Sequence, residues 1–150
     1  MLPELKNDPS VPGSLIGSLL FEGRELVLRI TPDDTTTEQC LSAAAKALAA
    51  LPDIDIKARD VAARTLLSNY NDNWRHYGRT TEGGSIEEVH DPELSSSDFK
   101  ARLKMTCLET LGANCYTIFY DDGHMFAGHS VVITSFDGLF FSDTYAELFG

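Results

Sequence analysis

The sequence predicts an α+β domain: an antiparallel β-sheet, built from an N-terminal hairpin and a C-terminal meander, packed against two to three helices. Three observations carry this. Apolar residues alternate with period two near the start, recur at helical spacing from about 35 to 70, and return to period two after residue 104. The later segments are separated by Gly with Asn or Asp, residues that tolerate the positive φ of tight turns. Helices grouped apart from strands mark an α+β arrangement.

Residues 1–12, with three prolines, read as a loose lead-in to a single domain over 13–150. Segments 14–21 and 24–30 meet across Glu22-Gly23 as a hairpin, with Leu26, Leu28 and Ile30 on the inner face. Thr35 and Glu38 have capping-box spacing, and a helix follows to about Leu51. Its inward stripe is Cys40, Leu41, Ala44, Ala45, Leu48 and Leu51, and Pro52 stops it. Asp55 is the expected cap of a second helix over 56–70, with Ala58, Val61, Ala62 and Leu66 inward. Asn71 to Trp74 ends or extends it, and Trp74 anchors that end on the core.

Residues 76–95 read as a long loop, a kind of segment that is often functional. A serine-capped helical turn follows at 97–102. Strands are expected over 104–111, 115–120, 125–135 and 139–141. Taking Asp122-Gly123 as a two-residue turn puts Tyr116 opposite His129. Tyr116, Ile118, Tyr120, Met125, Ala127, His129, Val131 and Ile133 would then share one face. Phe119, Phe126, Gly128, Ser130, Val132 and Thr134 would take the other, leaving a hairpin apolar on both sides.

Size and composition fit an ordinary globular protein. A chain of 150 residues buries roughly 68–70% of its unfolded surface, so a core forms without disulfides or metal. No apolar run approaches the roughly 20 residues of a membrane span. The first ten residues lack the apolar core of a signal peptide. The three cysteines, Cys40, Cys107 and Cys115, are odd in number and match no zinc spacing, which suits reduced thiols in a cytoplasmic protein.

The net charge of −11 is unevenly placed. Residues 80–98 carry Glu82, Glu87, Glu88, Asp91, Glu93 and Asp98 with no Lys or Arg, and no basic residue follows Lys104. Residues 57–79 are mildly basic, with Lys57, Arg59, Arg64, Arg75 and Arg79. An acidic field repels phosphate backbones and attracts basic partners, so nucleic acid is not an expected ligand.

The stretch TIFYDDGHMFAGHSVVI gathers two histidines, two aspartates and a serine. In a regular strand His124 and His129, five positions apart, face opposite ways and cannot share one ion. Gly128-His129-Ser130 lacks the second glycine and the strand-to-helix elbow of a hydrolase nucleophile. No metal or cofactor is expected. His129, with Tyr116 or Asp121 as its partner, is the candidate acid/base group, against the plainer reading of a satisfied core histidine. His76 and His90 read as solvated loop residues.

Phe119 to Val131, the Asp98 to Leu103 segment and the Asn71 to Trp74 helix end resemble a bacterial family, the domain of unknown function numbered 2262. Its members share a DG-x-x-F-x-G-H hairpin, an F-K-x-R-L segment and an F-x-G hairpin, here Phe21-Glu22-Gly23. The resemblance covers residues 14–150 and implies a small bacterial cytoplasmic domain with no activity to carry over. Ala127 departs from the pattern, which commonly holds a larger residue there. By analogy, small acidic bacterial domains include immunity proteins that neutralise toxins.

Three functions follow as expectations. The first is a non-catalytic protein that meets a basic partner, concretely a toxin domain, through Glu82, Glu87, Glu88, Asp91 and Glu93. The second is an enzyme using His129 as general acid or base. The third is a structural or regulatory homo-oligomeric module whose second apolar sheet face meets another chain.

Overall fold

The computed structural model describes residues 2–150. One sheet of seven strands organises the chain, in the order β1-β2-β3-β6-β7-β8-β9. The strands are β1 (Lys6–Asn7), β2 (Leu15–Phe21), β3 (Arg24–Thr31), β6 (Lys104–Leu111), β7 (Cys115–Asp121), β8 (Ser130–Ser135) and β9 (Ala146–Phe149). Every neighbouring pair is antiparallel except β3 with β6, which run parallel. The N-terminal hairpin therefore joins the C-terminal meander edge to edge, and the helices fill the connection between them.

The β2–β3 turn forms at Glu22-Gly23, both at positive φ (52° and 77°), as the primed hairpin turns require. Leu26, Leu28 and Ile30 are fully buried beneath the helices. The expected lead-in contributes β1, and Asp8 beside it bonds Arg29 Nε at 2.9 Å. Arg29 also reaches Glu109 at 3.2 Å, so β1, β3 and β6 are tied across the open sheet face.

Helix α1 spans Thr37–Ala49. Its capping box uses Thr36 and Gln39, one position beyond the expected Thr35 and Glu38. The Thr35 hydroxyl instead donates to Pro32 O at 2.6 Å. The buried stripe is Cys40, Ala43, Ala44 and Ala47, turned slightly from the expected one. Small side chains let the helix lie close to the sheet, where the Tyr116 hydroxyl reaches Ala43 O at 2.9 Å.

Helix α2 spans Leu51–Asn69, so Pro52 starts this helix as well as ending α1. The expected inward residues Ala58, Val61, Ala62 and Leu66 are all buried. Asp55 is no cap. It lies inside the helix, buried, where its carboxylate accepts from Arg59 Nε at 3.0 Å and from the Tyr120 hydroxyl at 2.6 Å. Arg59 continues to the carbonyls of Lys100 and Leu103, binding α2 to the short helix α3 (Ser96–Arg102). Its guanidinium lies 5.2 Å from the Tyr120 ring centre. Burial, then the Asp55 charge, pushes the Tyr120 hydroxyl far above the ordinary tyrosine range.

The mildly basic 57–79 segment thus presents no free basic face. Lys57 bonds Leu139 O, Arg64 bonds Thr144 O and Arg75 bonds Asn71 O and Asp91 O. The opposite sheet face holds half-buried Val27, Cys107, Phe119 and Val132 among Arg29, Thr106 and Glu109. Burial pushes the Cys107 thiol up to about 11. No described helix is long and apolar enough to cross a membrane.

Candidate functional site

Two segments depart from the sequence expectation, and they face each other. The first is the predicted loop at 76–95, most of which is a two-stranded arm. β4 (His76–Thr80) pairs with β5 (Ile86–His90) in a separate sheet, with register His76↔His90 to Thr80↔Ile86. Thr81 N donates to Ser85 O at 2.8 Å to close the turn, and Arg79 meets Glu87 at 3.0 Å. All strand residues but Val89 are exposed, Ile86 to 77% and Tyr77 to 46%.

The arm grows from the end of α2, where Tyr70–Trp74 forms a π-helical turn. Such turns insert one residue and often occur at functional sites. The Asn71 amide donates to Leu94 O and accepts from Leu94 N, at 3.0 and 2.9 Å. Arg75 and Asp91 exchange bonds at 2.9 Å, sealing the base of the arm.

The second departure is the β7–β8 connection. The expected two-residue turn at Asp122-Gly123 does not form, and β8 starts only at Ser130. Tyr116 pairs with Ser135 and Tyr120 with Val131, six positions from the expected register. Residues 122–129 make a loop organised by one side chain. Asp122 is 4% exposed and accepts from the amides of His124 (3.0 Å), Phe126 (2.8 Å) and Gly128 (2.9 Å). Gly123, His124, Ala127 and Gly128 all have positive φ. For His124 and Ala127 this conformation costs about 1–2 kcal/mol each.

The loop turns Phe126 into the core. There it meets Tyr70, Trp74 and Phe99 edge-on, with ring centres 5.9, 5.6 and 6.1 Å away. Trp74 thus anchors the helix end, as expected. Phe126 and Gly128 leave the open sheet face, where Phe119 and Val132 of the β7–β8 pair remain half-buried. A Cβ at Gly128 would meet nothing within 4 Å, so that glycine serves its φ of 85° and not a close approach. Gly123 is the close contact, since a Cβ there would lie 2.5 Å from Arg102 O.

Between these segments lies a cleft of about 610 Å³. Tyr70, Trp74 and Tyr77 give it aromatic walls, and His76, His124 and Asp91 give it polar edges. The other two histidines touch its lining residues: His90 bonds His76 (Nδ1 to Nδ1, 2.7 Å), and His129 lies 5.8 Å from the Trp74 ring. No group of three or more His, Cys, Asp or Glu among the described residues is arranged to hold a metal ion.

The expected His129–Tyr116 pair is not assembled. His129 is half-buried in the loop and its Nδ1–H donates to Phe126 O at 2.5 Å. Tyr116 is buried under α1, its hydroxyl committed to Ala43 O and pushed above the ordinary range by burial. The acidic candidates stand on or beside the arm. Glu82 is at its tip, Glu87 and Glu88 on β5, and Asp91 and Glu93 at its base. Glu87 is paired with Arg79 and Glu93 lies 3.7 Å from Arg75; Glu82 and Asp91 make no ion pair among the described residues.

Sequence reasoning missed the arm, although Gly83-Gly84 between HYGRT and IEEVH was a hairpin signal. It also missed Tyr70, Trp74 and Tyr77 as walls of one cleft.

Neither a curated protein nor a solved structure matches the chain. A family model does match, over residues 4–137. Within that span the resemblance motifs touch one another: the Asp122 to His129 loop packs Phe126 on Phe99 of α3 and Gly123 on Arg102. The chain belongs to the family described as an uncharacterized protein conserved in bacteria (DUF2262).

Proposed function

We propose that this domain is a non-catalytic acidic protein that binds a basic protein partner, most concretely an immunity protein that neutralises a bacterial toxin. One observation carries the reading. The β4–β5 arm stands outside the main sheet, exposed on nearly every residue, and bears Glu82, Glu87 and Glu88 beside exposed Tyr77 and Ile86. A two-stranded ribbon gains little stability alone. An arm of carboxylates with two large apolar side chains suits recognition: charge steers the encounter and Tyr and Ile bury area on contact. The acid/base alternative has less support, because Tyr116 and the His129 Nδ1 are both committed elsewhere.

The test is affinity capture from the native bacterium at low salt, using the wild-type domain and a Glu82→Lys/Glu87→Lys/Glu88→Lys variant. The expected result is a basic protein held by the wild type, with association slowed about tenfold or more in the variant and less so at high salt. Co-expression of the domain should also relieve any growth arrest caused by that protein. A partner bound equally well by the variant overturns the reading.

A further inference from the structure

We propose that His76 and His90 form a two-imidazole site for a divalent transition-metal ion of the zinc, nickel or copper class. The two residues are direct cross-strand partners at the base of the arm, and their Nδ1 atoms face each other at 2.7 Å. Two ring nitrogens at this distance either share one proton or share one ion.

The geometry is close to what an ion needs. Metal–imidazole bonds are about 2.0–2.1 Å, so two nitrogens at a right angle around the ion stand about 2.9 Å apart, and about 3.4 Å in a tetrahedral site. The rings must part by a few tenths of an ångström, which exposed side chains on a two-stranded ribbon can do. Both rings are exposed, so an ion enters freely and water completes its coordination. Imidazole pairs suit zinc, nickel and copper over magnesium or calcium, which prefer oxygen.

Binding requires each Nδ1 lone pair to be free, so each ring carries its proton on Nε2. The metal-free pair holds one proton between the two Nδ1 atoms. When the ion takes its place, that proton moves to Nε2 of the same ring through solvent, with no change in total charge on the protein. His90 Nε2 lies 3.8 Å from Glu88 Oε2, close enough for the carboxylate to accept that N–H after a small torsion. A carboxylate behind a ligating histidine fixes its tautomer and raises its basicity. Glu88 sits on the same face of the arm, opposite Gly78, where nothing on the facing strand blocks it.

The consequence is mechanical. The arm has no core of its own, and an ion across His76 and His90 clamps it where it leaves the π-helical turn. Asp91 and Tyr77, which line the cleft, flank the two ligands in sequence.

Untagged protein is titrated with nickel chloride and with zinc chloride, followed by calorimetry and by amide NMR. The expected result is one saturable ion per chain, with paramagnetic broadening by nickel centred on residues 75–77 and 89–91. His76→Asn or His90→Asn each weakens binding at least about tenfold, because one of two protein ligands is lost. His124→Asn, whose φ of 64° suits Asn, leaves it unchanged. Absence of saturation up to about 1 mM overturns the proposal. So does undiminished affinity in His90→Asn, or broadening centred on His124 and His129.

Discussion

Asp122 is the residue on which the β7–β8 loop depends, and its replacement has a magnitude that can be worked out. Its carboxylate accepts three backbone N–H groups, from His124, Phe126 and Gly128. Hydrogen bonds to a charged group contribute about 1.5–3 kcal/mol each. The three do not simply add on removal. His124 and Gly128 are exposed, so water replaces their partner, at a net loss of about 1 kcal/mol each. The Phe126 amide is within the fold and would stay unpaired, costing about 1–3 kcal/mol. Asp122→Ala is therefore expected to lose about 3–5 kcal/mol. Asp122→Asn differs in a telling way. Oδ2 alone serves Phe126 and Gly128, and an amide oxygen placed there keeps both bonds. Its NH2 then faces the His124 N–H, so only that bond is lost, about 1–2 kcal/mol. Urea unfolding with an unchanged m-value is the assay, and amide exchange at Phe126 is the local readout. For a chain of this size the Ala variant should melt roughly 10 °C lower. An Ala variant within about 1 kcal/mol of wild type, or an Asn variant as damaged as Ala, would refute the reasoning.

Arg59→Met should cost about 3–5 kcal/mol by urea unfolding, because it strands the buried Asp55 carboxylate and frees the carbonyls of Lys100 and Leu103. Gly128→Ala should cost only about 1–2 kcal/mol for its positive φ, whereas Gly123→Ala also drives a methyl into Arg102 O and should cost clearly more in the same assay. The Ser10 amide and the Arg29 guanidinium hold the Asp8 carboxyl below its ordinary value of 3.8. Its stabilising effect is then present above 3.8 and lost as pH falls through the lower folded value, so melting temperatures of wild type and Asp8→Asn should converge only in that acid range.

What the sequence made legible was whatever local pattern decides. The β2–β3 hairpin follows from Glu22-Gly23 between alternating apolar residues, and the buried stripe of α2 from helical spacing. The serine cap of α3 forms as local reading expects, one residue earlier than the expected 97–102 turn implies, on Ser95. The arm was hidden because both of its faces are solvated, so neither strand shows the apolar alternation that marks a half-buried one. The loop at 122–129 misled for the opposite reason. Met125, Ala127 and His129 continue the period of β8 by coincidence, and Asp122-Gly123 has the composition of a hairpin turn. That turn needs positive φ at both central residues. Here positive φ falls on Gly123 and His124, while Asp122 spends its side chain on amides further along. Nothing in the spacing of residues announces a carboxylate that gathers three amides.

The distribution of conformational cost argues that the cleft end of the molecule is its working end. Elsewhere the sheet departs from regular pairing at a shift between Met105 and Cys107 in the β6–β7 register, and its core is packed with aliphatic and aromatic side chains. The connection after β8 also holds two non-glycine residues at positive φ, Phe141 and Asp143, but at the cleft end such a pair coincides with a π-helical turn, a ribbon without a core and aromatic side chains facing a cleft. A shorter link between β7 and β8 was chemically available, since Asp122-Gly123 is a good two-residue turn. The chain uses eight residues instead, and what they add is Phe126 under Trp74 and His124, Met125 and Ala127 beside the arm. Strain held at one place by a dedicated buried carboxylate is a device for positioning side chains, because stability alone would favour the shorter turn. Trp74 ties the pieces together, packing on Phe126 and His129 while lining the same cleft as His76 and Tyr77. The loop therefore sets the floor against which the arm stands, and whatever binds the arm meets a surface that Asp122 has shaped.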